Sequence, residues 1–330
     1  MGSESDRATD ATRPSLIDRV DTLQRAFPVI GFPYAVIKRY VEDHGGWLGS
    51  LIAYYGFFSL YPLLVAFTTI ATWLFGDRPQ TLQRILSSVW SRVPFATSDL
   101  SEQVSEQVKD LSGQGWIAVV SLLVSLWGAI GVVRVLQDAV NTMWGVPRYL
   151  RPSFVNKMGR GAIMLGLLGF AVIGSAVVAG VTLAVDLPLV ATVGAALANI
   201  ALSTLVTLAV YQLVLGRSIP NRTHLPGAVI MGVGVWGLTL IGGLYVQRVI
   251  ARMTSVFGPF ASTIGLLAYV SLLIQIFVLA TEVNVVRAKR LWPRALTLEL
   301  GEPDLRAIAL SMQREALFAP AIVQESTEPG

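Results

Sequence analysis

The chain contains no cysteine. That excludes a disulfide framework and any metal centre or nucleophile built on a thiolate. Histidine is almost as scarce, with only His44 and His224, far apart in the chain. An imidazole acid–base pair or a histidine-rich metal centre is therefore not written into the sequence. Charge is thin as well, 14% of 330 residues, where a soluble domain carries roughly 25%. The shortage extends along most of the chain and goes with a hydrophobic share of 53%, which points to lipid rather than to a soluble domain. The first 26 residues are polar and carry acids, without the apolar core of a cleaved leader. The first apolar run is thus expected to serve as the insertion signal.

What the chain has instead is long apolar runs. Six of them reach the ~20 residues that a bilayer core requires, at about 48–75, 116–133, 161–185, 189–215, 226–246 and 261–286. The expected fold is an all-α integral membrane protein, a six-transmembrane-helix bundle. The third and fourth runs are parted only by the turn at Asp186 and Pro188, so they form a tight hairpin. Residues 77–114 are polar, yet Leu82, Ile85, Leu86, Val89 and Val93 keep helical spacing. Leu100, Val104, Val108 and Leu111 do so again after Pro94, and Asp99 with Glu102 resembles a capping box. This stretch reads as an extracytoplasmic helical hairpin between spans one and two, and nothing in it calls for a ligand.

The ends are divided similarly. Residues 1–14 form a polar tail of disordered composition. Residues 15–47 hold short helices broken at Pro28 and Pro33, with Val36, Ile37, Tyr40 and Val41 on one face. They are expected at the inner membrane interface, a small soluble cap being the alternative. The membrane domain covers 48–292, and 293–330 is a tail with a helix at Asp304–Phe318.

Charge sets the orientation. With the N-terminus inside, 19 of the 25 lysines and arginines fall on the inner side and 6 on the outer. That asymmetry places both termini in the cytoplasm of a cell bounded by this plasma membrane. It also explains a net charge of +4 and a pI near 9.5 without nucleic acid as a partner. The basic loop Arg148–Arg160 suits anionic lipid at the cytoplasmic face.

The candidate functional residues gather where apolar runs turn polar. In Ser121–Val146 the run ends in Arg134, Gln137, Asp138 and Asn141. A spacing of three or four puts them near one helical face. Polar groups at membrane depth are costly and turn to a protein interior or a watery cavity. Arg134 by itself can equally mark the membrane edge and reach the headgroups. In the first run Pro62 removes a backbone hydrogen bond and kinks the helix. Tyr54, Tyr55, Ser59 and Tyr61 add hydroxyls to it, although tyrosine is common at interfaces. Glu282 and Asn284 end the sixth run, and Glu282 is expected to pair with Arg134 at similar depth. The candidate polar cavity is therefore Tyr54, Tyr55, Ser59, Pro62, Arg134, Gln137, Asp138, Asn141, Glu282 and Asn284. No catalytic, metal or cofactor site is expected.

Four stretches in order resemble the bacterial YihY/BrkB membrane proteins. They are Ala53-Tyr54-Tyr55 with Ser59-Leu60-Tyr61-Pro62, then Arg134–Val146, then Ile219-Pro220-Asn221-Arg222 with Pro226-Gly227-Ala228, and Thr281-Glu282-Val283-Asn284. Ala280-Thr281 stands where that family usually has Gly-Ala. The resemblance covers roughly residues 30–292. It implies a six-helix inner-membrane protein, one type of which is called a serum-resistance virulence factor. The family has also carried the label ribonuclease BN. Two scattered histidines and no cysteine offer neither the acid–base set nor the metal centre that RNA hydrolysis needs, so an enzyme is not expected.

Two function classes follow. One is a transporter or flippase-like protein for a lipid or an envelope-related solute, supported by the polar constellation. The other is a structural or assembly protein of the envelope, supported by the lack of an ATP-binding loop, a coupling-ion site or a clear internal repeat. Topology is testable at once because the chain has no cysteine of its own. A cysteine at Ser105 should react with an impermeant thiol reagent from outside, and one at Ser153 should not. The opposite labelling pattern would discard this orientation.

Overall fold

The computed structural model describes residues 16–58, 115–151, 189–215, 219–245, 260–297 and 300–315, with isolated positions at 80 and between 156 and 167. The expected tail 1–14, Ser59, Pro62, the hairpin 77–114 apart from position 80, and most of the third span lie outside the described residues. Every regular element among the described residues is helical. In chain order these are α1 (Leu16–Ala26), α2 (Pro28–Glu42), α3 (45–58), α4 (Gly115–Met143), α5 (Leu189–Leu215), α6 (Asn221–Tyr245), α7 (Phe260–Ala288) and α8 (Glu302–Glu315). One 3-10 turn, Arg148–Leu150, follows α4.

Three of these helices are long and apolar enough to cross a membrane: Val193–Leu215, Asn221–Ile241 and Thr263–Ala288. Their outer faces show Leu197, Leu205, Val229, Val233, Ile241 and Leu272 uncovered. A water-soluble protein rarely exposes so large an apolar surface, and lipid tails satisfy it. Helix α6 lies between α5 and α7 and packs closely on both. Small residues set that closeness. A Cβ at Gly227 would fall on the Ala280 carbonyl of α7, and one at Gly232 would lie 2.7 Å from the Ile200 carbonyl of α5.

The buried core is richest at one end of the bundle. Ala35 and Val36 of α2, Ile52 of α3, and Val140 and Met143 of α4 meet Tyr211, Val286, Leu291, Ala307 and Leu310 there. Sharp helix ends bring these parts together. Gly145 (φ +67°) terminates α4, where the Val146 amide donates to the Asn141 carbonyl at 2.8 Å. This is the αL ending that glycine adopts without steric cost. A Cβ on Gly145 would also collide with Leu310 of α8. Arg290 (φ 53°) ends α7 in the same way, with the Leu291 amide on the Val286 carbonyl at 3.0 Å. His44 (φ 54°) separates α2 from α3. The chain returns at α8 to the end where it started at α1 and α2.

Two glycines of α6 provide a matched test. Gly227 faces α7 without room for a methyl group, whereas a Cβ at Gly237 meets no described residue within 4 Å. Gly227→Ala should lower the melting temperature in detergent by several degrees, as overpacking by ~1–3 kcal/mol does. Gly237→Ala should leave it unchanged or slightly raised. Equal effects in a tryptophan-fluorescence melt would contradict the close approach of α6 to α7.

Candidate functional site

A fully buried arginine organises the capped end. Arg39 of α2 is 0% exposed. Its Nη2 lies 2.9 Å from Asp43 Oδ2, one helical turn on. Its Nη1 donates to the Ala307 carbonyl at 3.4 Å and the Ser311 hydroxyl at 3.2 Å, both on α8. Arg314 of α8 donates to Asp43 Oδ1 at 2.6 Å. Arg294, in the turn after α7, donates to Asp304 Oδ1 at 2.7 Å and to Glu42 Oε1 at 2.6 Å. Lys38 reaches the Ala295 carbonyl at 2.6 Å and Asp304 at 3.4 Å. Asp21 of α1 accepts the Leu296 amide at 2.8 Å and pairs with Arg25 at 2.7 Å. This network binds α1, α2, α8 and the turn after α7 into one cap.

Asp304 has a second task. It is the third residue of α8, and its Oδ2 accepts the Gly301 amide at 3.2 Å and the Ala295 amide at 3.1 Å. This satisfies a donor that a helix start leaves open. Burial alone would raise the Asp304 carboxyl. The Arg294 hydrogen bond, the Ala295 amide, the Arg294 charge and the Gly301 amide outweigh it and hold the group below the usual carboxylate range.

Beneath the cap lies an intramembrane polar layer. Glu282 of α7 is 0% exposed, and its carboxyl is within hydrogen-bonding reach of Asp43. Neither Glu282 oxygen receives a donor from the described residues. One residue earlier, Thr281 shares a 3.0 Å hydrogen bond with the Tyr211 hydroxyl of α5. Tyr211 stacks on Phe277 and on His224, with ring centres 5.6 and 5.3 Å apart. Trp144 meets the other side of His224 edge-on at 5.1 Å. His224 is fully buried, and neither ring nitrogen has a hydrogen-bond partner among the described residues. Asn284 joins α7 to α6: its Oδ1 accepts the Gly227 amide at 2.8 Å, and its Nδ2 donates to the His224 carbonyl at 3.2 Å.

The residues expected at the polar centre divide accordingly. Glu282 and Asn284 are buried at the meeting of α6, α7 and the cap. Gln137 and Asn141 of α4 are also buried. Gln137 Nε2 approaches the Met164 sulfur at 3.7 Å, and Asn141 Nδ2 donates to the Gln137 carbonyl at 2.8 Å. Arg134 and Asp138 are half-buried, and the Asp138 charge acts on Arg151. Tyr54 and Tyr55 of α3 are exposed, 55% and 42%, and Gly131 of α4 faces Tyr55. The expected Arg134–Glu282 pair does not form. The charges around Glu282 are Asp43, Arg39 and Arg314, because α7 packs more extensively against α2 than against α4.

Several members of the site escaped the sequence reading. Arg39, Arg294 and Arg314 read in the sequence as ordinary topology-setting charges, and Asp43 carries no signal of its own. The i, i+4 spacing of Arg39 and Asp43 was the only local hint. His224 gives no signal as one of two scattered histidines; it lies between the Ile219–Arg222 and Pro226–Ala228 stretches that carry part of the family resemblance.

The virulence factor BrkB family model matches residues 36–298. That span includes Arg39, Asp43, His224, Glu282, Asn284 and Arg294 and stops short of Asp304 and Arg314. No curated protein and no solved structure matches the chain.

The cap can be opened selectively. Asp304→Asn removes one partner of a buried ion pair, a loss of about 3–5 kcal/mol, and should lower the melting temperature at neutral pH. A carboxyl held below its unfolded value stabilises the fold above about pH 4. That contribution disappears as pH falls through the lower folded value. The difference between wild type and Asp304→Asn should therefore be constant from pH 8 to 5 and close in stronger acid. A difference that instead grew with acidity would show that Asp304 is not an ion-paired carboxylate.

Proposed function

The chain belongs to the virulence factor BrkB family, and from that premise we propose that it moves a lipid or an envelope-related solute across the bacterial plasma membrane. In this reading the protein is a six-span bundle with both termini in the cytoplasm. The cap of α1, α2 and α8 faces the cytoplasm, the side on which the basic loop Arg148–Arg160 meets anionic lipid. The protein performs no chemistry of its own and takes no cofactor or nucleic acid.

One observation carries the reading. Glu282 and His224 lie fully buried in span helices with polar atoms that no described residue satisfies. Ionisable groups inside a membrane are expensive, and their usual use is a substrate or ion pathway. Asn284 and the Tyr211–Thr281 pair extend the polar surface around them. A second reading, an assembly protein without a substrate path, draws on the close packing of the capped end.

The two readings separate in vesicles. Full-length protein in bacterial polar lipid, doped with a headgroup-labelled phospholipid, should speed its transbilayer exchange over protein-free vesicles. His224→Ala should reduce that acceleration at least several-fold while the protein still inserts. No acceleration, together with an unchanged lipid profile in a deletion strain, would leave the assembly reading standing.

A further inference from the structure

We propose that Asp43 and Glu282 form a proton-binding site, in which one hydrogen is shared between two buried carboxyl groups at the joint of cap and bundle. The inference does not rest on transport; it concerns what this joint binds. Asp43 is 2% exposed and Glu282 0%, and their carboxyls are within hydrogen-bonding reach of each other. Two carboxylates in one dry site do not both ionise readily.

The hydrogen-bond inventory points to the missing atom. Three buried acceptors, Glu282 Oε1, Glu282 Oε2 and Asp43 Oδ2, have no directed donor among the described residues. Arg39 Nη2 stands 2.9 Å from Asp43 Oδ2 yet off the hydrogen-bond axis. A hydrogen on Glu282 turns one of these acceptors into a donor aimed at another. Buried polar atoms are nearly always satisfied, and a proton is the smallest ligand that settles two of these three.

The surrounding charges leave that proton in place. From α2 come Arg39, Glu42 and Asp43, and from α8 come Arg314 and its neighbour Glu315. Arg294, after α7, is committed to Glu42 and Asp304. From α5, the Tyr211 hydroxyl is held by Thr281, the residue before Glu282, with His224 of α6 stacked on the ring. Both nearby arginines touch Asp43, and no arginine comes within ion-pair distance of Glu282 among the described residues. Asp43 is thereby kept as the acceptor and Glu282 as the carrier. Burial pushes the Asp43 carboxyl up, against the charges of Arg39 and Arg314.

A proton held by the folded state and not by the unfolded one fixes the sign. Stability is then greatest below the unfolded carboxyl value near pH ~4. It falls as pH rises, by about tenfold in the unfolding constant per unit per proton until the site itself titrates. The test is infrared spectroscopy and thermal melting of the full-length protein in detergent, in sodium and in choline buffers. At pH 7 the wild type should show the carbonyl stretch of a protonated carboxyl, shifted in heavy water. Glu282→Gln should lack that band and flatten the pH dependence of melting. Asp43→Asn should keep the band but shift it. Should Glu282→Gln fail to fold, the wild-type band and its pH series decide alone. Absence of the band, or a melting temperature that tracks sodium rather than pH, would overturn the proposal in favour of a bound cation. A pH-independent band that persists in Glu282→Gln would place the proton elsewhere and overturn it as well.

Discussion

A charge must find its counter-charge before it can leave water, and Arg39 meets that requirement with groups from two ends of the chain. Asp43 lies one turn away, but the remaining partners are the Ala307 carbonyl and Ser311 of α8. Arg314, also of α8, closes on the same Asp43. Burying such groups costs several kcal/mol per ion, and the mutual attraction returns roughly that amount. The network's effect is therefore less on net stability than on position. Any other docking of α8 would strand Arg39 or Asp43 in a dry interior.

The bundle follows a different rule. Its helices are held by close backbone approach, with Gly227 and Gly232 letting α6 settle between α5 and α7. Lipid offers no hydrophobic penalty for separating helices, so fit and a few hydrogen bonds decide the arrangement. Asn284 supplies two such bonds to α6, and Tyr211 and Thr281 supply another between α5 and α7. Where the two regimes meet, Glu282 of the bundle faces Asp43 of the cap.

Much of this was legible in the residues. The long apolar helices needed only their hydropathy, and α5 spans the same 189–215 that the sequence outlines. The burial of Gln137, Asn141, Glu282 and Asn284 follows from polar groups sited at helix depth. What could not be read was who meets whom. Arg39 and Arg314 carry no local sign that they share one carboxylate, because that contact depends on a chain excursion through every span. Arg134 and Glu282 looked equivalent in depth, yet depth says nothing about which neighbour a helix turns toward. The extensive packing of α2 on α7 is a tertiary choice, and it reassigned Glu282 to the cap.

The cap also has a place in time. Asp43 and Arg314 are separated by 271 residues. At the usual pace of synthesis, about 5–20 residues per second, α2 leaves the ribosome tens of seconds before its last partner exists. Through that interval Arg39 and Asp43 have each other but no α8, and the apolar surface around Ala35 and Val36 remains open. Only a chain translated through α8 can close over them. The joint of α2 and α8 therefore forms last, after every helix between them has been made.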